Sequence, residues 1–334
     1  MYKIGIMGAG LVSYSHANAI KEVENAKLVA VSDIVETRAK KFAKEYGCDY
    51  YLDSEEMLKN ADIDIVIICL PSHIHEEYVN LAAKYKKNIL CEKPVERTAA
   101  ATERILEVVK NSGKIFMVGQ VLRFWTGYSE IKEMYDAGGF GEIHMVFASR
   151  RSALPNWTDG WIIDPSRGLG AIQDMHIHDI DFLFYLFGPA DYVFCHASKD
   201  DTGCWNHVMT SIAYKSGQKA VAEASFNMVS SYPFTMYFKI AGTKADLEFS
   251  YKAGFNIGDR DQFNSKVSLF YEDRESVHKV AENYDAFVRQ LKYYLSCLDK
   301  GMQPSLIPHL ENLEVIKTME AIRLSADTNQ IVKL

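Results

Sequence analysis

Two groups of residues in this chain have the types and spacing to do chemistry. The first is Glu92-Lys93-Pro94, which ends the apolar run from Asn88 to Cys91. A strand that delivers an acid and a cation to its carboxyl end, then stops because proline cannot continue a ladder, has the build of a site. A lysine placed there can steady negative charge developing on an oxygen. A solvated lysine ahead of a helix-starting proline would look the same. The second group is Asp174-Met-His-Ile-His178-Asp-Ile-Asp181, in a stretch that reads as one long helix running on to Phe187. At about 100° per residue, Asp174, His178 and Asp181 share a face and His176 points away. An acid one turn before a histidine can fix the imidazole tautomer and raise its basicity, which prepares a general base. A satisfied core histidine or a His-x-His metal pair fits the same letters.

The elements that must position these groups begin at the amino end. Tyr2 to Met7 forms a strand, Gly8-Ala9-Gly10-Leu11-Val12-Ser13 a turn, and a helix follows through Ile20 and Val23. Gly8 permits the tight turn, Gly10 removes a side chain where backbone must approach a pyrophosphate, and the helix start supplies N–H donors. Ser13 stands where a third glycine is usual. The next strand, Lys27 to Ser32, ends in Asp33, about 25 residues past the first glycine, the spacing at which a carboxylate takes ribose hydroxyls. That acid would repel a 2′-phosphate, so NAD is expected rather than NADP, with Arg38 the nearby cation that could meet a phosphate. Asp33 would also serve as a helix cap before Glu36 to Tyr46. A helix capped by Ser54 then leads to Asp64–Leu70, an apolar run suited to the middle of a parallel sheet. Pro71-Ser72-His73-Ile74-His75, a helix to about Lys86, the strand ending at Lys93, a helix from Thr98 to about Asn111 and the strand Lys114 to Val118 with Gly119-Gln120 complete this half. Gly8, Asp33, Pro71, Lys93 and Gln120 all fall at strand carboxyl ends, where doubly wound sheets bind ligands.

After Val121 the pattern changes. A helix from Tyr128 to Asp136 and a run from Glu142 to Ser152 come before the 174–187 helix. Segments 190–198, 205–215, 218–228, 234–241, 245–251 and 266–272 read as strands of a mostly antiparallel sheet. Helices near 283–299 and 308–326 close the chain. The expected organisation is a dinucleotide-binding α/β domain over 1–121 and a substrate and oligomerisation domain over 122–334, an open antiparallel sheet with helices on one face. Such a sheet exposes its other face, so a homodimer or homotetramer is expected.

Composition narrows the partners. The formal charge is −7 and no Lys/Arg block occurs, which disfavours nucleic acid and anionic membranes. Residues 1 to 7 already read as a strand and no run approaches a membrane span, so a cytoplasmic protein is expected. Six cysteines without a C-x-x-C pair indicate free thiols, and no metal site is expected.

Taken together, these residues resemble the Gfo/Idh/MocA oxidoreductases, nearly end to end. The resemblance is carried by Gly8-Ala9-Gly10 with Asp33, Pro71-Ser72-His73, Glu92-Lys93-Pro94, Gly119-Gln120 with Arg123-Phe124, and Gly170 with Asp174, His178 and Asp181. It implies that Lys93, Asp174 and His178 are catalytic, and that a cis peptide before Pro94 aims Lys93 into the cleft. The cofactor set it implies is Gly8, Ala9, Gly10, Leu11, Val12, Asp33, Ile34, Arg38, Leu70, Pro71, Ser72, His75, Glu92, Lys93 and Gln120. Arg123, Asp181 and the loop 155–161, with Trp157 and Trp161 facing the apolar side of a ring, would join the catalytic three around a sugar, cyclitol or related polyol. The expected reaction is hydride transfer between nicotinamide and a secondary alcohol or ketone. Rival readings are a nucleotide-sugar or uronate dehydrogenase, with Arg123, Arg150, Arg151 and Arg167 as an anion site, and a non-catalytic sugar sensor on the same fold.

Overall fold

The computed structural model describes residues 1–155, 160–253, 264–280 and 286–334. The amino-terminal part alternates β1 (Tyr2–Met7), α1 (Leu11–Lys21), β2 (Ala26–Ser32), α2 (Glu36–Tyr46), β3 (Asp49–Tyr51), α3 (Ser54–Asn60), β4 (Ile65–Ile68), α4 (His75–Lys84), β5 (Asn88–Cys91), α5 (Ala99–Ser112) and β6 (Phe116–Val118). All its strands are parallel, in the order β3-β2-β1-β4-β5-β6. Every residue of β4 is buried, as a strand covered on both faces must be. Connectivity reverses between β1 and β4, so the carboxyl ends of these two strands flank the crevice where such a sheet takes a ligand. Asp53, one residue before the expected Ser54, caps α3 by accepting the Glu56 N–H at 2.8 Å; the Ser54 hydroxyl instead pairs with that of Ser32.

The second sheet follows α6 (Tyr128–Asp136). Its strands are β7 (Ile143–Ala153), β8 (Ala190–Lys199), β9 (Trp205–Tyr214), β10 (Lys219–Met228), β11 (Thr235–Gly242), β12 (Ala245–Lys252), β13 (Asn264–Tyr271), β14 (Val277–Val280) and β15 (Val332–Lys333). Their order is β14-β13-β12-β11-β7-β10-β9-β8-β15, antiparallel throughout except at β7–β10. Two helices, α7 (Ala171–Asp174) and α8 (His176–Phe187), lie against β7, β9 and β10. Alanines 148, 222 and 224 face inward there and are buried, which leaves room for helix backbone to approach the sheet. Tyr128 anchors an aromatic cluster, its ring 4.7 Å from Phe182, 5.8 Å from Phe238 and 5.1 Å from Phe249. Each such ring, fully buried, contributes roughly 2–3 kcal/mol by area.

The observed packing differs from the expected second domain of 122–334. By contacts, Met1–Val121 groups with the stretch that ends at Ile316, and the second unit comprises the chain from Leu122 plus Lys317–Leu334. The closing helices are α9 (Ala286–Lys300) and α10 (His309–Thr328). The Tyr294 hydroxyl donates to the Ile115 carbonyl at 3.0 Å, Gln303 bonds the Phe116 N–H and the Lys114 carbonyl, and the His309 ring meets the Phe116 carbonyl. An amphipathic stripe states that a helix packs, not on which sheet, which is why α9 was not assignable from sequence. The expected start of that helix near 283 lies outside the described residues. No described helix is long and apolar enough to cross a membrane.

Candidate active site

In the first unit the turn after β1 is built around Gly8. Its φ is +96°, and a Cβ there would lie 2.4 Å from the Cys69 carbonyl oxygen, so both torsion and space demand glycine. At Gly10 a Cβ would meet nothing within 4 Å, and α1 starts there with no side-chain cap and no acid in its first turn. Its N–H donors and the positive end of its dipole are thus presented as a phosphate requires. Ser13 replaces the third glycine to structural effect: its buried hydroxyl donates to the Gly8 carbonyl at 2.8 Å and pins the turn. The Asp33 carboxylate accepts from the Ala9 N–H and from the Val35 N–H, both at 2.8 Å. It therefore ties the end of β2 to the glycine turn, while Val35 rather than Asp33 is the cap position of α2. Ile34 beside it is 85% exposed, Leu11 is 42% exposed, and Val12 and Arg38 are half-buried. These residues fit a dinucleotide: an open backbone cradle for the pyrophosphate and a half-buried carboxylate for the ribose.

Beyond β4, Leu70 and Pro71 are half-buried and Ser72 is buried. His75 is buried too, with Nδ1 2.8 Å from the Pro94 carbonyl and Nε2 2.8 Å from the Leu70 carbonyl. Burial weakens its hold on a proton more than these carbonyls strengthen it. The ring therefore sits between two strand ends and steadies them. The Lys93–Pro94 peptide is cis. Across residues 89–96, Lys93 is the one residue that is not buried. The Glu92 carboxylate is buried, 2.7 Å from His16 Nε2, and its other oxygen accepts the Lys93 N–H at 3.1 Å. Burial alone would raise the Glu92 carboxyl, but the hydrogen bond and charge of His16, with Lys93, outweigh it and hold it below the usual carboxylate range. Gln120 is buried and its amide donates to Asn312.

In the second unit the expected single helix over 174–187 is interrupted at Met175, so Asp174 ends α7 and His178 stands in the first turn of α8. Between Ala171 and Phe184 every residue is buried except Asp174 and His178. His176 points inward, its Nε2 2.9 Å from the Thr210 hydroxyl, and burial lowers its pKa to about 3, so the ring is neutral. Asn206, which sequence reasoning did not single out, sets the start of α7: its side-chain oxygen accepts the Ala171 N–H at 2.9 Å, and a Cβ on Gly170, at φ +81°, would lie 2.3 Å from that oxygen. Arg123 and Asp181 form a two-pronged pair at 3.0 and 2.7 Å with side-chain exposures of 0% and 1%, so they brace α8 from within. Trp161 is half-buried, whereas Trp157 lies outside the described residues. All four arginines of the supposed anion site face carboxylates, Arg123 with Asp181, Arg150 with Asp179, Arg151 with Glu223 and Arg167 with Asp164, which dismantles that site.

Residues 2–120 match the model of the oxidoreductase family with an NAD-binding Rossmann fold, Gfo/Idh/MocA, and residues 128–248 match the C-terminal domain of the same family. The chain belongs to the Gfo/Idh/MocA family. It is an NAD-binding oxidoreductase. Among its family relatives, myo-inositol 2-dehydrogenase of Thermotoga maritima is 27% identical over 318 residues, covering 91% of this chain and 90% of that one. The Bacillus subtilis oxidoreductase YrbE is 30% identical over 250 residues, 72% of this chain and 71% of that one. Levoglucosan dehydrogenase solved with NADH superposes with a TM-score of 0.85 at 21% identity, covering 99% and 98% of the two chains, a likeness of fold.

The glycine turn gives this family member a direct test. Gly8→Ala is expected to weaken NADH binding at least about tenfold, since the added methyl must displace the Cys69 carbonyl and the torsion is one L residues rarely adopt. Fluorescence titration with NADH reads it; affinity equal to wild type would mean the turn does not hold the dinucleotide.

Proposed function

We propose that the protein oxidises a secondary alcohol of a sugar, cyclitol or related polyol to the ketone, reversibly, with NAD. The observation that carries this is selective exposure. Lys93 in 89–96, and Asp174 with His178 in 171–184, are the only residues of these two stretches that are not buried. A polar side chain left accessible in an otherwise buried stretch can present its polar atoms to a ligand. Gly8, Ala9, Gly10, Asp33 and the start of α1 would hold the dinucleotide, with Leu11, Val12, Ile34 and Leu70–Ser72 around it. Once bound, NAD supplies the hydride acceptor. Neutral His178 takes the hydroxyl proton at an imidazole nitrogen, Asp174 orients that ring, and Lys93 steadies negative charge on the same oxygen. Trp161 offers an aromatic surface for the apolar side of the ring, and the Arg123–Asp181 pair keeps α8 in place. Several relatives of similar length are named inositol dehydrogenases, which puts cyclitols first in the panel.

Incubation with NAD and myo-inositol, scyllo-inositol, xylose, glucose and their acids, followed by NADH absorbance, tests the reading. Turnover of at least one neutral polyol is expected; silence across the panel would overturn it.

We also assign the open face of the second sheet to a further copy of the chain. Met145, Met209 and Phe270 stand 46%, 42% and 38% exposed on it, and Phe147 and Tyr237 pair there. These apolar side chains lie on the face that α7 and α8 do not cover, which suits burial against another molecule. Light scattering at micromolar concentration should give a dimer or tetramer mass, and a monomer mass would refute the assignment.

A further inference from the structure

We propose that His16 is a positioning residue for Lys93, acting through Glu92. The inference rests on the role given to Lys93 above, and it begins from a backbone group. Pro94, which carries no N–H, ends the β5 ladder, and the Lys93 N–H stands just before that break. The adjacent Glu92 side chain supplies the acceptor, folding back so that one carboxylate oxygen takes that N–H at 3.1 Å. A carboxylate on a side chain only 11% exposed cannot hold this pose alone, because an unpaired buried charge is costly. His16 provides the second partner, its Nε2 2.7 Å from the other oxygen. The imidazole is itself fixed: it is 1% exposed, and its ring meets that of Phe287 edge-on with centroids 5.0 Å apart. On the remaining side Gly119 makes room, since a Cβ there would lie 3.0 Å from the carboxylate. Strand pairing holds the backbone beneath, with the Glu92 N–H on the Ile68 carbonyl at 2.9 Å and the Gly119 N–H on the Cys91 carbonyl at 2.7 Å.

The consequence lies in where His16 comes from. It stands on α1, the helix that starts at Gly10 in the dinucleotide turn. The point from which the Lys93 side chain departs is therefore referenced, through two hydrogen bonds, to the helix that receives the pyrophosphate. Cofactor seating and lysine placement are mechanically linked within one unit. Misplacement of a reacting group by about 1 Å can cost on the order of a hundredfold in rate, so a relay of this kind belongs in the catalytic turnover and not only in stability.

Hydrogen exchange at the Lys93 amide, read by mass spectrometry with residue-level fragmentation, tests the relay without any substrate. Wild type, His16→Phe and His16→Gln are compared with and without NADH, alongside kcat and KM with NAD and myo-inositol. His16→Phe keeps the ring shape against Phe287 but loses the nitrogen; exchange at Lys93 should quicken at least about tenfold, and NADH should no longer slow it. Its kcat should fall about thirtyfold with KM for NAD within about threefold. His16→Gln, whose amide nitrogen can reach the Nε2 position, should recover most of both. A purely structural role would instead lower the melting temperature of both variants and leave the kcat of the folded fraction unchanged. Wild-type exchange at Lys93 in His16→Phe, or wild-type kcat, overturns the proposal. If His16→Phe does not fold, Glu92→Ala gives the same exchange readout. If wild type turns over none of the panel, the functional reading fails while the exchange data still decide the relay.

Discussion

Lys93→Met should lower kcat by about a thousandfold, and His178→Phe by about a hundred- to ten-thousandfold, while both bind NADH within about twofold of wild type. The ranges follow from the roles. Removing a donor that steadies an oxyanion costs about 10²–10³ in turnover, and removing a general base about 10²–10⁴. NADH affinity should survive because the groups assigned to the dinucleotide, the Gly8–Gly10 turn and Asp33, are held by contacts that involve neither side chain: Ser13 on the Gly8 carbonyl, and the Ala9 and Val35 N–H groups on Asp33. The roles proposed for the two residues belong to one step of the reaction, so their effects should combine non-additively and the double variant should be barely worse than the poorer single one. His176→Gln is the internal control. It lies two residues from His178, yet it faces Thr210 in the core, so it should lower the melting temperature and leave kcat within about threefold. Steady-state kinetics with NADH fluorescence titrations check all of these. Turnover above a tenth of wild type in Lys93→Met or His178→Phe would remove that residue from the chemistry.

Features written in consecutive residues were legible in the sequence. The parallel sheet could be read because its central strands are short apolar runs that end near glycine, proline or a charge, and because strand and helix alternate. The glycine turn, Asp33 and the strand end at Lys93 were visible for the same reason. The second sheet could be read from alternation and turn residues, except for β14 and the two-residue β15; the four residues of β14 are all exposed, so it lacks the buried half of the pattern, and β15 is too short to show one. The partly exposed status of Asp174 and His178 agrees with helical spacing even though the helix breaks at Met175, because that residue keeps helical torsions, φ −86° and ψ −46°.

What sequence could not supply is pairing across distance. Asp179 and Asp181 stand two apart and look equivalent, yet one faces Arg150 and the other Arg123. Read alone, four arginines made an anion site; in three dimensions each meets a carboxylate. His16 and Asn206 carried no signal for a related reason. A lone histidine inside a helix and an asparagine at a strand start are ordinary letters, and only the partners Glu92 and the Ala171 N–H reveal them. The substrate-side role expected for Asp181 likewise yields to a bracing one once its carboxylate is seen on Arg123, almost out of reach of solvent.

The largest effect on stability should come from the other of these pairs. Asp179 is wholly buried and takes the Arg150 guanidinium through two bonds of 3.1 Å, with the Arg150 side chain 3% exposed. Its further neighbours, the Met236 sulfur and the Tyr128 hydroxyl at 3.5 Å, are weak acceptors for a cation. Asp179→Ala would therefore strand a buried positive charge beneath α8, at a cost of about 3–5 kcal/mol. The unit carrying β7 and α8 should melt well before wild type, and calorimetry should show its transition separating from that of the dinucleotide-binding unit, whose own contacts are untouched. Charge, not volume, is the cause, and a second variant separates the two. Arg150→Met with Asp179→Leu fills similar space without ions, and since apolar replacement of a buried pair is often neutral or stabilising, it should recover most of the loss. If the double variant is as unstable as Asp179→Ala, the pair contributes shape and hydrogen bonding that methionine and leucine cannot reproduce. If Asp179→Ala melts like wild type, water or a neighbouring acceptor reaches Arg150, and its charge is not stranded beneath α8.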